Sequence, residues 1–247
     1  MRRFAIAIVL FALAASSAPA SAQSLSEPQK KEIETLIGEY LRAHPEIILE
    51  SVRAMQEREQ AMQQQRQREG LTTRRGEIEN DPTSPVVGNP QGDVTVVEFF
   101  DYRCGYCKAV LPAVQRLLKD DPKVRYVMKD LPILSPESRI AAKLTLAVWR
   151  SEPKRYFDLH TKLMESRGDL TENRIYDIAK AVGVDVARAK RDMNAAEVEE
   201  VLVANMNLAQ ALGITGTPGF VVGNHLVPGA IDYDALKELV DRARRGS

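Results

Sequence analysis

The chain has 247 residues, with 34 basic and 34 acidic side chains, 44% hydrophobic residues and two cysteines. A balanced charge with no basic face excludes nucleic acid as a partner. Two cysteines are too few for a disulfide scaffold, so the fold rests on a hydrophobic core, for which this length is ample.

Met1-Arg2-Arg3 precedes an apolar run from Phe4 to Ala15, and Ala20-Ser21-Ala22 fits a small-residue cleavage site, so residues 1–22 read as a signal peptide cleaved near Ala22. The run is shorter than the about twenty apolar residues that span a bilayer, and no later segment qualifies, so a soluble mature protein starting near Gln23 is expected. The residue immediately after the cleavage site is Gln23, not a cysteine that could carry a lipid. Without Arg2 and Arg3 the formal charge is near −2. The expected location is the periplasm.

Residues 23–80 read as an N-terminal helical oligomerisation region and linker. Ser26-Glu27-Pro28 is an N-cap followed by proline in the first turn, and Ile33, Leu36, Ile37, Tyr40 and Leu41 recur at helical spacing. His44-Pro45 interrupts the pattern. A second run then places Ile48, Val52, Met55 and Met62 at coiled-coil steps, with Glu59 breaking the series. Stripes of this size need a partner, either the chain's own main domain or a second copy, and a homo-oligomer, trimer or dimer, is expected. Gly70 to Gly76 reads as a flexible linker.

Residues 81–247 read as the main domain, introduced by Pro82, Pro85, Gly88, Asn89 and Pro90. Val94 to Phe100 is a predicted strand, Gly105 to Lys119 a helix containing Pro112, and Val124 to Met128 a strand parallel to the first. Glu98, a carboxylate in a strand covered on both faces, must pair or stay protonated, and Lys129 is its expected partner.

Cys104-Gly105-Tyr106-Cys107 sits at the turn from strand into helix, where free backbone N–H groups and the positive end of the helix dipole favour a thiolate. Cys104 is therefore expected to be the exposed nucleophile, ionising more readily than a free thiol, and Cys107, one turn in, the buried resolver. Two cysteines with three scattered histidines do not make a zinc site. A disulfide closing so short a loop would be a weak staple. Redox chemistry is the reading that remains, and neither a metal nor a cofactor is expected, because the two sulfurs carry the electrons.

From about 135 to 212 the periodicity is helical almost throughout, with starts at Pro136, Pro153 and Thr171. His160 lies on one of these helices and reads as an ordinary imidazole. Gly216-Thr217-Pro218-Gly219 then leads into a strand, Gly223-Asn224 marks a hairpin, and a final helix runs from Asp232 to about Arg244.

This order of strand, Cys-x-x-Cys helix, strand, helical insertion, Thr-Pro, hairpin and helix resembles the DsbA-like branch of the thioredoxin-fold thiol:disulfide oxidoreductases, over about Pro90 to Ser247. The expected class is α/β: a thioredoxin-like fold with a helical insertion, preceded by an N-terminal helical oligomerisation region. The resemblance implies that Pro218 is cis and lies against the cysteines, that Thr217 offers backbone groups to a substrate strand beside Gly105 and Tyr106, and that Glu98 and Lys129 are the family's buried acid and lysine. Gly105-Tyr106, in place of proline-histidine, and threonine, in place of valine, before Pro218 are similar to the disulfide isomerases of the DsbC kind. With the N-terminal helices, the chain is most similar to the suppressor-of-copper-sensitivity protein C (ScsC) group. That likeness implies self-association, cysteine-containing exported proteins as substrates, and a membrane thiol reductant of the ScsB or DsbD kind. Three functions stay open: disulfide isomerase or reductase, dithiol oxidase of the DsbA kind, and a protein holding Cu(I) between its two sulfurs.

Overall fold

The structure, a computed structural model, describes residues 25–246, so the signal-peptide reading of residues 1–22 lies outside the described residues. The chain divides into two compact units, residues 1–57 and 58–247.

In the first unit, α1 (Glu27–Ala43) ends at His44 and is followed by α2 (Glu46–Thr73), so the break expected at His44-Pro45 is present. Helix α1 buries none of its residues, and Leu36, Ile37, Tyr40, Ile48, Leu49, Val52 and Met55 are all exposed. The boundary between the units falls inside α2.

The second unit corrects the linker. Gly70 and Leu71 are buried in the last turn of α2, and α3 (Arg75–Glu79) follows after Arg74 with Ile78 fully buried. Both Leu71 and Ile78 pack with Val97, Phe99, Leu208, Leu212 and Ile214. Gly70 is there for space. A side chain at this position would start 3.1 Å from Leu212 Cδ2 and 3.4 Å from the Ala211 carbonyl.

The sheet has five strands, β1 (Val86–Gly88), β2 (Val94–Phe100), β3 (Val124–Asp130), β4 (Gly219–Val222) and β5 (His225–Pro228), in spatial order β1-β3-β2-β4-β5. Strands β2 and β3 are parallel, joined over one face by α4 (Gly105–Asp120), and the other pairings are antiparallel. Strand β1 is an unexpected edge strand; three residues between Pro85 and Asn89 carry too little pattern to be read from sequence. The β4–β5 turn uses Gly223 at φ +57, as a two-residue hairpin loop requires.

Alternation along the central strands sorts their side chains into two layers. Val96 and Phe100 of β2, Tyr126 and Met128 of β3, and Phe220 and Val222 of β4 face one core with Cys107, Val110 and Val114 of α4. Val97, Phe99, Val127 and Val221 face the other. The insertion comprises α5 (Pro136–Ser151), α6 (Pro153–Glu165), α7 (Glu172–Ala181), α8 (Val186–Asp192) and α9 (Ala196–Ala211), and α10 (Tyr233–Arg244) ends the domain. Helices α5, α6 and α10 join the first core, and the end of α9 covers the second.

Candidate functional site

The apolar run of β2 carries the chain to the C-terminal edge of the parallel strands, where ligand sites of α/β folds form. There the backbone turns, and Cys104 is the N-cap of α4. Its Sγ accepts the Cys107 N–H at 3.4 Å and donates to the Thr217 carbonyl at 3.1 Å. The Thr217–Pro218 peptide bond is cis, as the resemblance implies, and this contact brings it against the cysteine pair from 113 residues away. Cys104, Cys107, Thr217 and Pro218 are thus brought together.

The expected contrast in exposure between the sulfurs is small. Cys104 is 5% exposed and Cys107 2%. They differ in their neighbours. A side chain on Gly105 would meet nothing within 4 Å, and Tyr106 is 71% exposed, so the surface beside Cys104 is open. Cys107 lies in the core, where burial, then the charge of Glu98, push its thiol well above the ordinary range, partly offset by a hydrogen bond from the Asp101 backbone.

Glu98 does not pair with Lys129. The strands are in register Glu98↔Met128 and Phe99↔Lys129, so the two side chains leave the sheet on opposite faces. Glu98 is buried beside Tyr126, whose hydroxyl donates to Glu98 Oε2 at 2.7 Å. Burial raises this carboxyl to about 7, against the opposing effect of the Tyr126 bond. Lys129 instead donates to Asp81 Oδ2 at 2.8 Å and the Glu77 carbonyl at 2.9 Å. Burial pushes Asp81 up, but hydrogen bonds from Lys129 and Thr83 carry it down to about 2. Lys129 is therefore an anchor for the segment after α3, away from the sulfurs.

Three buried polar groups near the cysteines escaped sequence reading. Tyr126 had a signal, since residues two apart on a strand share a face. Asp101 accepts four hydrogen bonds, from the N–H groups of Arg103, Ile133 and Leu134 and from the Ser138 hydroxyl. Asp130 is buried with neither carboxyl oxygen hydrogen-bonded, and burial, then Asp101's charge, hold it well above the carboxylate range. His160 is buried, with Nδ1 3.1 Å from the Tyr102 hydroxyl and its ring against Phe100 and Phe157. Burial lowers it to about 3, so it stays neutral in the core. Among the described residues no cluster of three or more His, Cys, Asp or Glu is placed to hold a metal.

The profile of the DSBA-like thioredoxin domain matches residues 95–241, and that of the copper resistance protein ScsC N-terminal domain matches residues 29–61. A thioredoxin-like oxidoreductase from Silicibacter pomeroyi DSS-3 is 45% identical, covering 70% of this chain and 99% of its own, with a TM-score of 0.67. Proteus mirabilis ScsC in a transitional conformation is 31% identical, covering 90% of this chain and 100% of its own, with a TM-score of 0.68. Disulfide bond formation protein D of Bacillus subtilis (strain 168) is 28% identical over 172 residues, 66% of this chain and 78% of its own. The chain spans only 26% of the longer Na(+)/H(+) antiporter NhaA 1 of Salinispora arenicola, to which it is 28% identical.

Proposed function

The chain belongs to the DSBA-like thioredoxin domain family and is a thiol-disulfide oxidoreductase of that kind, and from this premise we propose that it acts in the periplasm as a disulfide isomerase and reductase. The observation that carries the reading is the placement of Cys104 Sγ at the start of α4, between the Cys107 N–H and the Thr217 carbonyl.

In the proposed reaction the Cys104 thiolate attacks one sulfur of a substrate disulfide. A Cys104–substrate disulfide forms, the substrate's S–S bond breaks, and the departing sulfur leaves as a thiolate that takes a proton from solvent. In isomerisation a different substrate cysteine, as its thiolate, attacks the substrate sulfur of the mixed disulfide; the new substrate S–S bond forms, the Cys104–substrate bond breaks, and Cys104 leaves as a thiolate with no net redox change. In reduction Cys107 attacks the Cys104 sulfur instead, the substrate leaves with two thiols, and the enzyme holds a Cys104–Cys107 disulfide. Cys107 must lose its proton in the core for this step, and the Glu98 carboxylate, with an affinity for protons near neutrality, is the group that takes it. A thiol reductant of the membrane, of the ScsB or DsbD kind, returns the pair to two thiols. Thr217, through its backbone, and Gly105 and Tyr106, through their open surface, receive the substrate strand.

Two observations favour isomerase over oxidase. The match to the ScsC N-terminal domain lies on α1 and α2, and those helices carry apolar stripes that stay exposed. Burying them between copies gathers several cysteine pairs around one substrate. Location in the periplasm rests on the leader sequence and on likeness to a protein described as a periplasmic thioredoxin-like protein from Salmonella enterica serovar Typhimurium, 30% identical. The test is thiol labelling of the protein in intact cells. The reading expects Cys104 and Cys107 mainly as free thiols; a pair found mainly as a disulfide would make the protein a dithiol oxidase.

A further inference from the structure

Two carboxylates that burial pushes upward end in opposite states, and their partners account for the difference. Asp81 accepts from the Lys129 ammonium and is carried down to about 2. Glu98 accepts from a neutral hydroxyl, that of Tyr126 at 2.7 Å, and stays at about 7. A carboxylate held by a cation is too weak a base to take a proton from a thiol near neutral pH; one held by a hydroxyl is not.

The register makes the choice of partner. Tyr126 stands across from Val96, two residues before Glu98, so alternation puts Tyr126 and Glu98 on the Cys107 side of the sheet and Lys129 on the other. Tyr126 has no exposed surface, which leaves its hydroxyl without water as a partner. Cys107 from α4, Tyr102 from the turn before it and Tyr156 from α6 each feel the Glu98 charge. Asp130, across from Phe100, and the neutral His160 lie in the same layer. To this layer β4 brings Phe220 and Val222, and α10 brings Leu236 and Val240, none of which titrates. None of these groups is a cation.

We propose that Tyr126 is a positioning residue for the resolving step: its hydroxyl holds the Glu98 carboxylate where a cation would otherwise be needed, and so sets the pH range over which Glu98 takes the Cys107 proton. The inference rests on the thiol-exchange reading above and adds to it the group that tunes the base. In the step, the Cys107 S–H bond breaks and its proton bonds to a Glu98 oxygen. The sulfur's electron pair forms the Cys107–Cys104 bond as the Cys104–substrate bond breaks, and the substrate leaves as a thiolate. Tyr126 keeps its own proton throughout, because burial, then the charge of Glu98, push its ionisation well above that of an ordinary tyrosine.

The test is single-turnover reduction of a synthetic disulfide-linked peptide by the full mature protein from pH 5 to pH 9.5, with peptide in excess so that resolution by Cys107 limits the rate. Tyr126→Phe keeps the ring and removes the donor. The inflection near pH 7 is expected to move up by about one pH unit, the scale of one hydrogen bond to a charged group. Resolution should then be about threefold slower at pH 6 and at least as fast at pH 9, because the stronger base is ionised less often but pulls harder. Loss of packing alone would slow the step at every pH. Should Tyr126→Phe fail to fold, 3-fluorotyrosine placed at 126 has nearly the same shape and is a stronger donor, and the inflection is expected to move below pH 7. An inflection that stays in place in the folded variant, or a rate lowered equally at all pH values, overturns the inference. Glu98→Gln separates the two levels. An inflection that vanishes in Glu98→Gln but is unmoved by changes at Tyr126 overturns only the role of Tyr126, whereas one that persists in Glu98→Gln overturns Glu98 as the base and the inference with it.

Discussion

Replacing Glu98 by glutamine is expected to make the protein more stable and less active, both near neutral pH. The carboxyl titrates at about 7 in the fold, against 4.5 for the free side chain. For an acid raised on folding, stability is complete below the unfolded value and is lost as pH rises through the folded one. The wild type should therefore lose about 3 kcal/mol between pH 4 and pH 8 from this residue alone, the free-energy equivalent of that difference. Glu98→Gln removes the slope, so urea denaturation should find the variant about 3 kcal/mol more stable than wild type at pH 8 and nearly equal at pH 4. The gain is about 1 kcal/mol smaller if the new amide finds no acceptor. Disulfide exchange should move the other way, about a hundredfold slower at pH 7, because the resolving thiol of Cys107 loses its base. A rate profile that keeps its inflection near pH 7 in Glu98→Gln would remove the proton-transfer role.

Cutting the chain at two different places separates assembly from folding. Removal of residues 23–57 deletes the first compact unit and leaves Leu71 and Ile78 in their core. The product is expected to be a folded monomer by light scattering that still exchanges with small disulfides. It should fail to repair a scrambled multi-disulfide protein, because the effective concentration of attacking sulfurs, millimolar when domains are joined, is gone. Removal of residues 23–75 looks equivalent from sequence and is not. It takes Leu71 out of the packing against Val97, Phe99 and Leu212, a loss of roughly 2 to 5 kcal/mol for a large core side chain. Should the full mature protein itself run as a monomer, the isomerase assignment falls and the oxidase takes its place.

The linker and the Glu98 pairing show where sequence reading ends. Gly70 in a polar stretch looks like a point of freedom, because the reasons for a glycine, turn or close approach, leave the same letter. Here the reason is Leu212 at 3.1 Å, a contact from 142 residues away that no local pattern carries. Glu98 and Lys129 were right as residues that need partners, since both are buried charges in strands, but choosing partners requires the register, and the register puts them on opposite faces. Given that register, alternation alone points to Tyr126, on the same face as Met128 across from Glu98. The strand–turn–helix around Cys104 and the Thr217–Pro218 approach were legible because they rest on local chemistry and on one recognisable order of elements. Asp101 carried a weaker sign, an acidic side chain capping its own chain two residues on, at Arg103. Its other bonds, to Ile133, Leu134 and Ser138, join parts of the chain more than thirty residues apart and appear only in the fold.

The central claim is that Cys104 attacks and Cys107 resolves. The most direct measurement uses Cys107→Ala in the full mature protein, incubated with a scrambled multi-disulfide substrate, quenched with acid and mapped by mass spectrometry of non-reduced peptides. Without Cys107 the mixed disulfide cannot be resolved within the enzyme, so adducts joined through Cys104 should accumulate, while Cys104→Ala should form few or none. Adducts that appear equally through Cys107 in Cys104→Ala, or their absence from both variants, would contradict the account.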